Sequence, residues 1–184
     1  MKKGKTLTLN IFSFFTYLIQ VGVVLWALRP IEGFIRSFSH PGSPMYTNFF
    51  VFFNTVKPNT LGQNLLSDLN DIFNLILIVA IFLIMTKIRK IIKNIKHQHY
   101  FILANLKHLK SMLTAGSVMV ISQIIQIIAF FPVIADTDPY ASIWNLYHQG
   151  EFWLIEVVFL AMVYIIYRLF NSGLNLKKEN NQFI

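Results

Sequence analysis

One carboxylate stands out by the company it keeps. Glu156 lies in the run Glu151-Phe-Trp-Leu-Ile-Glu156-Val-Val-Phe, with apolar residues on both sides. An ionised carboxylate in hydrocarbon costs several kcal/mol unless it is paired, hydrated or protonated. The residues suited to receive it are Gln20, Ser122, Gln123 and Gln126. Ser122 and Gln126 share a helical face at a spacing of four, and Gln123 borders it. Two chemistries fit this set. One is a polar pocket or ion site; the other is an interhelical hydrogen bond of about 1 kcal/mol that fixes packing.

A second cluster is cationic. Between Lys87 and Lys110 stand seven cations (Lys87, Arg89, Lys90, Lys93, Lys96, Lys107, Lys110), with His97, His99, His108 and no acid. Such a segment suits anionic headgroups at about 1 kcal/mol per cation near the surface. It equally suits a cytoplasmic protein of acidic character. The histidines lack an accompanying carboxylate or cysteine, so a metal site is not expected there. Asp136, Asp138 and His148 have types able to hold a cation, although loop acids are most often simply solvated.

The chain contains no cysteine, which excludes disulfides, thiolate metal sites and cysteine catalysis. It contains no Ser/His/Asp order, no glycine-rich phosphate loop and no paired catalytic carboxylates. Neither an enzyme nor a cofactor is expected.

The elements that must carry these residues follow from composition. Of 184 residues, 55% are hydrophobic, 13% are charged and 18 are phenylalanine. Soluble domains are about a quarter charged, so lipid is the implied solvent. Four apolar stretches span 9–28, 72–88, 113–133 and 152–170. Roughly 20 residues at 1.5 Å rise cover the ~30 Å hydrocarbon core. Backbone groups in lipid must bond within their own segment, so these stretches predict helices. No alternation in blocks of about ten residues points to a barrel. The start, Met-Lys-Lys-Gly-Lys before an apolar run, resembles a signal peptide. Its run is too long and no small-residue cleavage site follows, so a retained helix closed by Trp26, Arg29 and Pro30 is predicted.

Charge predicts orientation. The N-terminal tail, the segment 89–112 with Lys87, and the tail 171–184 with Arg168 together hold thirteen Lys and Arg. The opposite side holds Arg29, Arg36 and Lys57. The positive-inside rule then places both termini in the cytoplasm. Glu32, Asp68, Asp71, Asp136, Asp138 and Glu151 fall on the outer side. The outer segment 29–71 carries turn signals at 40–44 and 57–59 around the aromatic run Tyr46–Phe53. Its residues favour a strand, and so apolar a run would lie on the bilayer interface or pack as a lid over the bundle.

Two short patterns carry a family resemblance. Phe101, Asn105 and Leu109 recur at four-residue spacing in Tyr100-Phe-Ile-Leu-Ala-Asn-Leu-Lys-His-Leu109. Phe170, Gly173, Leu176 and Glu179 follow F-x-x-G-x-x-L-x-x-E, with Phe183-Ile184 after them. Together with the four-helix plan they resemble the DUF2975 family of small bacterial membrane proteins. Two departures stand out: His97-Gln-His-Tyr100 replaces the usual small residue, and Asn180 stands where an acid is common. The resemblance implies a four-helix bacterial inner-membrane protein that senses a signal and holds or releases a cytoplasmic helix-turn-helix transcription regulator. Asn105 would cap or hydrogen-bond at the loop, and Gly173 would take a left-handed helix-end conformation.

The expectation is an all-α, integral-membrane, four-helix bundle forming one domain, 1–184, with both ends inside. Its partners would be the lipid bilayer and a DNA-binding regulator, without direct contact to nucleic acid, and a homo-oligomer is compatible. Phe101, Asn105, Leu109, Gly173, Leu176 and Glu179 would form the partner face, beside Leu174 and Phe183. The rival from another class is a small transporter or channel built around Glu156; a third option is an accessory subunit of other membrane proteins. No second buried carboxylate or discontinuous helix is predicted, which counts against ion-coupled transport.

Overall fold

The computed structural model describes residues 3–39, 61–137 and 139–182. Within them the protein is all-helical: α1 (Lys3–Ser39), α2 (Leu61–Lys96), α3 (Leu103–Thr137) and α4 (Pro139–Gln182). The turn signals at 40–44 and 57–59, the aromatic run 46–53, Asp138 and Phe183-Ile184 lie outside the described residues.

Each apolar stretch sits inside a helix that overruns it at both ends. The helices hold 37, 36, 35 and 44 residues, so at 1.5 Å per residue they are roughly 50–65 Å long. Contrary to the expectation from sequence, Arg29-Pro30 does not end the first helix. α1 continues through a buried Pro30 to Ser39. Proline lacks the N–H that would bond back to Trp26, a loss that packed helices tolerate when neighbours hold the chain. The outer segment is shortened accordingly, because 29–39 and 61–71 are helical.

Among the described residues, three helices contain stretches long and apolar enough to cross a membrane: Leu7–Glu32, Leu103–Ala129 and Leu154–Glu179. The fourth apolar stretch, 72–88, lies within α2.

The chain divides into two compact units. The first comprises Met1–Gly22, Ala80–Val118 and Glu156–Ile184; the second comprises Val23–Val79 and Met119–Ile155. In the first, Ala80, Ile84, Ile92, Leu109, Met112, Ala115 and Val163 are buried together with Thr16, Gln20 and Asn105. In the second, Val23, Ile78 and Met119 are buried, and so are Asp71 and Ser122. Asp71, placed by sequence in the outer segment, is an interior residue of α2 at 2% exposure, so the expectation of no second buried carboxylate besides Glu156 does not hold.

Many large apolar side chains lie on the outside. Phe12, Phe14 and Phe15 on α1, and Leu154, Ile155 and Leu169 on α4, are all more than half exposed. Hydroxyls among these helices bond to their own backbone: Thr16 donates to Ser13 O (2.7 Å), Thr114 to Lys110 O (3.1 Å) and Ser122 to Met119 O (3.1 Å). This keeps their polar atoms satisfied without water.

Candidate functional site

The α2–α3 turn is built by three local devices. Gln98 N–H donates to Ile95 O (2.9 Å) and His99 N–H to Asn94 O (2.9 Å). This is the Schellman pattern, in which the second residue past the helix is left-handed. Gln98 takes that role with φ 62°, where glycine is usual. At the far side of the turn, Ile102 O accepts from Asn105 N–H (3.1 Å) and Leu106 N–H (3.4 Å), opening α3.

Asn105 closes the turn from inside. It is 0% exposed. Its Nδ2 donates to His99 O (2.9 Å) and Tyr100 O (2.8 Å), while its Oδ1 accepts from Asn94 Nδ2 (2.6 Å). The side-chain amide thus satisfies two turn carbonyls that no helix can reach. The expected hydrogen-bonding of Asn105 at the loop is what the structure has. Leu109, one turn on, is also buried at 4%. Neither presents a surface.

Phe101 leaves this turn and lies on α4. Its ring is 5.3 Å from that of Phe170, tilted by 53°. A Cβ at Gly173 would come within 2.6 Å of Phe101 Cδ1 and Cε1. Gly173 therefore has a different role from the expected left-handed helix end. α4 runs on to Gln182, and the glycine makes room for an aromatic ring inside a continuous helix. The turn and tail segments, expected to share one face, meet here through Phe101, Phe170 and Gly173. Leu176, one turn past Gly173 and 61% exposed, and Glu179, also exposed, continue the surface. Tyr100, Phe101 and Leu103 are exposed as well, and so are Lys93, Lys107, Lys110, Lys177 and Lys178.

Gln20 has a different partner from the expected one. Its Nε2 donates to Thr86 Oγ1 (2.8 Å) and Phe82 O (3.1 Å), and Thr86 Oγ1 donates to Phe82 O (2.8 Å). Gln20 thus ties α1 to α2. One turn along, the Arg89 guanidinium lies 4.0 Å from the centre of the Tyr17 ring. This cation–π contact has Arg89 stacked on a ring that is itself 56% exposed.

Glu156 is half-buried, with its Oε2 enclosed. Ser122 is buried, and Gln123 and Gln126 are half-buried. Glu156 belongs to the first unit, whereas those three belong to the second. Among the described residues no group of three or more His, Asp or Glu is placed to hold a metal ion. His97 and His99 lie 6.5 Å apart, ring centre to ring centre.

Sequence reading missed Asn94, Thr86, Gln98 and Tyr17. Asn94 carried a weak signal, as an amide in the last turn of a helix facing another amide across a short turn. Thr86 and Tyr17 carried none, because their partners are more than sixty residues away.

No family model, curated protein or solved structure matches the chain.

Proposed function

We propose that the chain is a four-span membrane protein with both ends in the cytoplasm, and that its α2–α3 turn and α4 tail dock and regulate a cytoplasmic protein. Membrane placement draws on the three long apolar stretches among the described residues and on the many large apolar side chains that the helices leave exposed. Orientation draws on thirteen Lys and Arg on one side against three on the other. The fourth span is 72–88 within α2.

The observation that carries docking is the contact of Phe101 with Phe170 and Gly173. It joins two segments into one preorganised surface of exposed aromatic and aliphatic residues among cations. Preorganisation lowers the ordering cost of binding, and the cations favour an acidic partner. The resemblance to the DUF2975 family supports a helix-turn-helix regulator as that partner, held or released in response to a signal. The protein itself does no chemistry and contacts no nucleic acid on this reading.

The test is photo-crosslinking in cells from positions 100 and 176 of the full chain. A cytoplasmic protein of acidic surface should be captured, and Leu176→Glu should release it without changing the melting of the purified protein. If neither position captures a cytoplasmic protein, docking is wrong and the polar residue Glu156 becomes the better starting point.

A further inference from the structure

The α2–α3 hairpin is pinned near its turn, where Asn94 Nδ2 donates to Asn105 Oδ1 (2.6 Å). The two helices run antiparallel from there, so each residue back along α2 is matched by one forward along α3. Lys90 and Lys87 stand four and seven residues before Asn94, on its face of α2. His108 stands three residues after Asn105, on the matching face of α3. The clasp thus sets His108 across from Lys90, with Lys87 one turn beyond.

By the same register Ile88, the inner end of the second apolar stretch, is level with Ser111. The apolar stretch of α3, Leu103–Ala129, has 27 residues. That is roughly 40 Å of helix against a core of ~30 Å, so its first turns stand outside the hydrocarbon. His108 is half-buried there, beside the buried Leu109 and Met112. Burial, and after it the charges of Lys87 and Lys90, hold its imidazole below the ordinary histidine range. Among the described residues no charge of α1 or α4 shifts it. The charges beside it on its own helix are Lys107 and Lys110, both exposed. No acid stands between residues 72 and 135 to receive a positive imidazole.

We propose that the hairpin carries a proton switch: a proton on His108 sets it against Lys87 and Lys90 and loosens α3 from α2 at Leu109 and Met112. The sign follows from linkage. A histidine that resists its proton when packed takes it up more readily once the packing opens. Stability is therefore intact above about pH 6.5 and is lost as the pH falls below it. This range is the one in which histidine serves as a sensor. The switch belongs to the hairpin itself and needs no docked partner.

The experiment is thermal melting of the full chain in detergent, with the pH lowered from about 7.5 to about 5.5. Hydrogen exchange reads which amides open. The wild type should lose melting temperature on acidification, with faster exchange over residues 87–112. His108→Gln should remove most of that loss, and Lys87→Gln with Lys90→Gln should reduce it. The exposed pair His97→Gln with His99→Gln should leave it unchanged. An NMR titration of His108 should move up in the double lysine variant, an effect that a merely structural histidine would not give. If His108→Gln does not fold at neutral pH, the lysine pair and its titration decide alone. An acid loss that persists in His108→Gln, or a His108 titration indifferent to both lysines, overturns the switch. Acid opening confined to α1 or α4 overturns it as well.

Discussion

The Phe101 ring lies so close to Gly173 that a single added carbon would come within 2.6 Å of it. Gly116 is superficially similar, since a Cβ there would come within 2.5 Å of Leu160 Cδ2. The two differ in what must give way. A leucine methyl at the end of a flexible side chain can rotate aside. An aromatic ring pinned against Phe170 must move as a plate.

Gly173→Ala should therefore lower the melting temperature in detergent, although alanine in a helix interior normally stabilises by about 1 kcal/mol relative to glycine. Adding Phe101→Leu to Gly173→Ala should recover much of the loss. A simple gain for Gly173→Ala alone would show that the ring does not rest there.

Asn105→Leu should destabilise by about 1–3 kcal/mol, because the His99 and Tyr100 carbonyls and the Asn94 amide lose their partner together. Asn94→Ala removes one of the three bonds and should cost about 1 kcal/mol. Thermal melts of the two variants rank them; equal losses would mean the amide pair acts alone.

Gln98→Gly should stabilise by about 1 kcal/mol, since glycine takes the left-handed conformation without strain. Gln98→Val should do the reverse, because a branched side chain is least tolerant of positive φ. Chemical denaturation of the purified protein reads both.

A protease tag at Ile184 should be protected in intact cells, whereas a tag near Pro58 should be cleaved. The expectation comes from the charge split alone, so either reversed result refutes the orientation.

How much of this was legible in the sequence depends on how local each feature is. The helices were, because lipid-length apolar runs leave the backbone no other way to satisfy itself. Their ends were not. Arg29-Pro30 and Asn171-Ser172-Gly173 both look like helix stops, yet α1 and α4 run through them. In each case tertiary packing outweighs a local preference: Pro30 is buried, and Gly173 receives Phe101. Asn105 was legible as a hydrogen-bonding residue of the turn, but not as a fully buried one. Gln20 was legible as a residue needing a partner inside the bundle. Its partner could not be read, because a threonine in an apolar run looks neutral until a second helix lies beside it.

The amides that clasp the α2–α3 turn are uncharged, and they stand in the most cationic part of the chain. Electrolyte screens charges outside but scarcely alters a buried amide bonded to carbonyls. Ionic strength should therefore act selectively, weakening whatever adheres to the lysines and arginines while leaving the geometry of the turn intact. Rinsing with salt would strip bound anionic material from a scaffold that keeps its shape, so that association and integrity become two separately adjustable quantities.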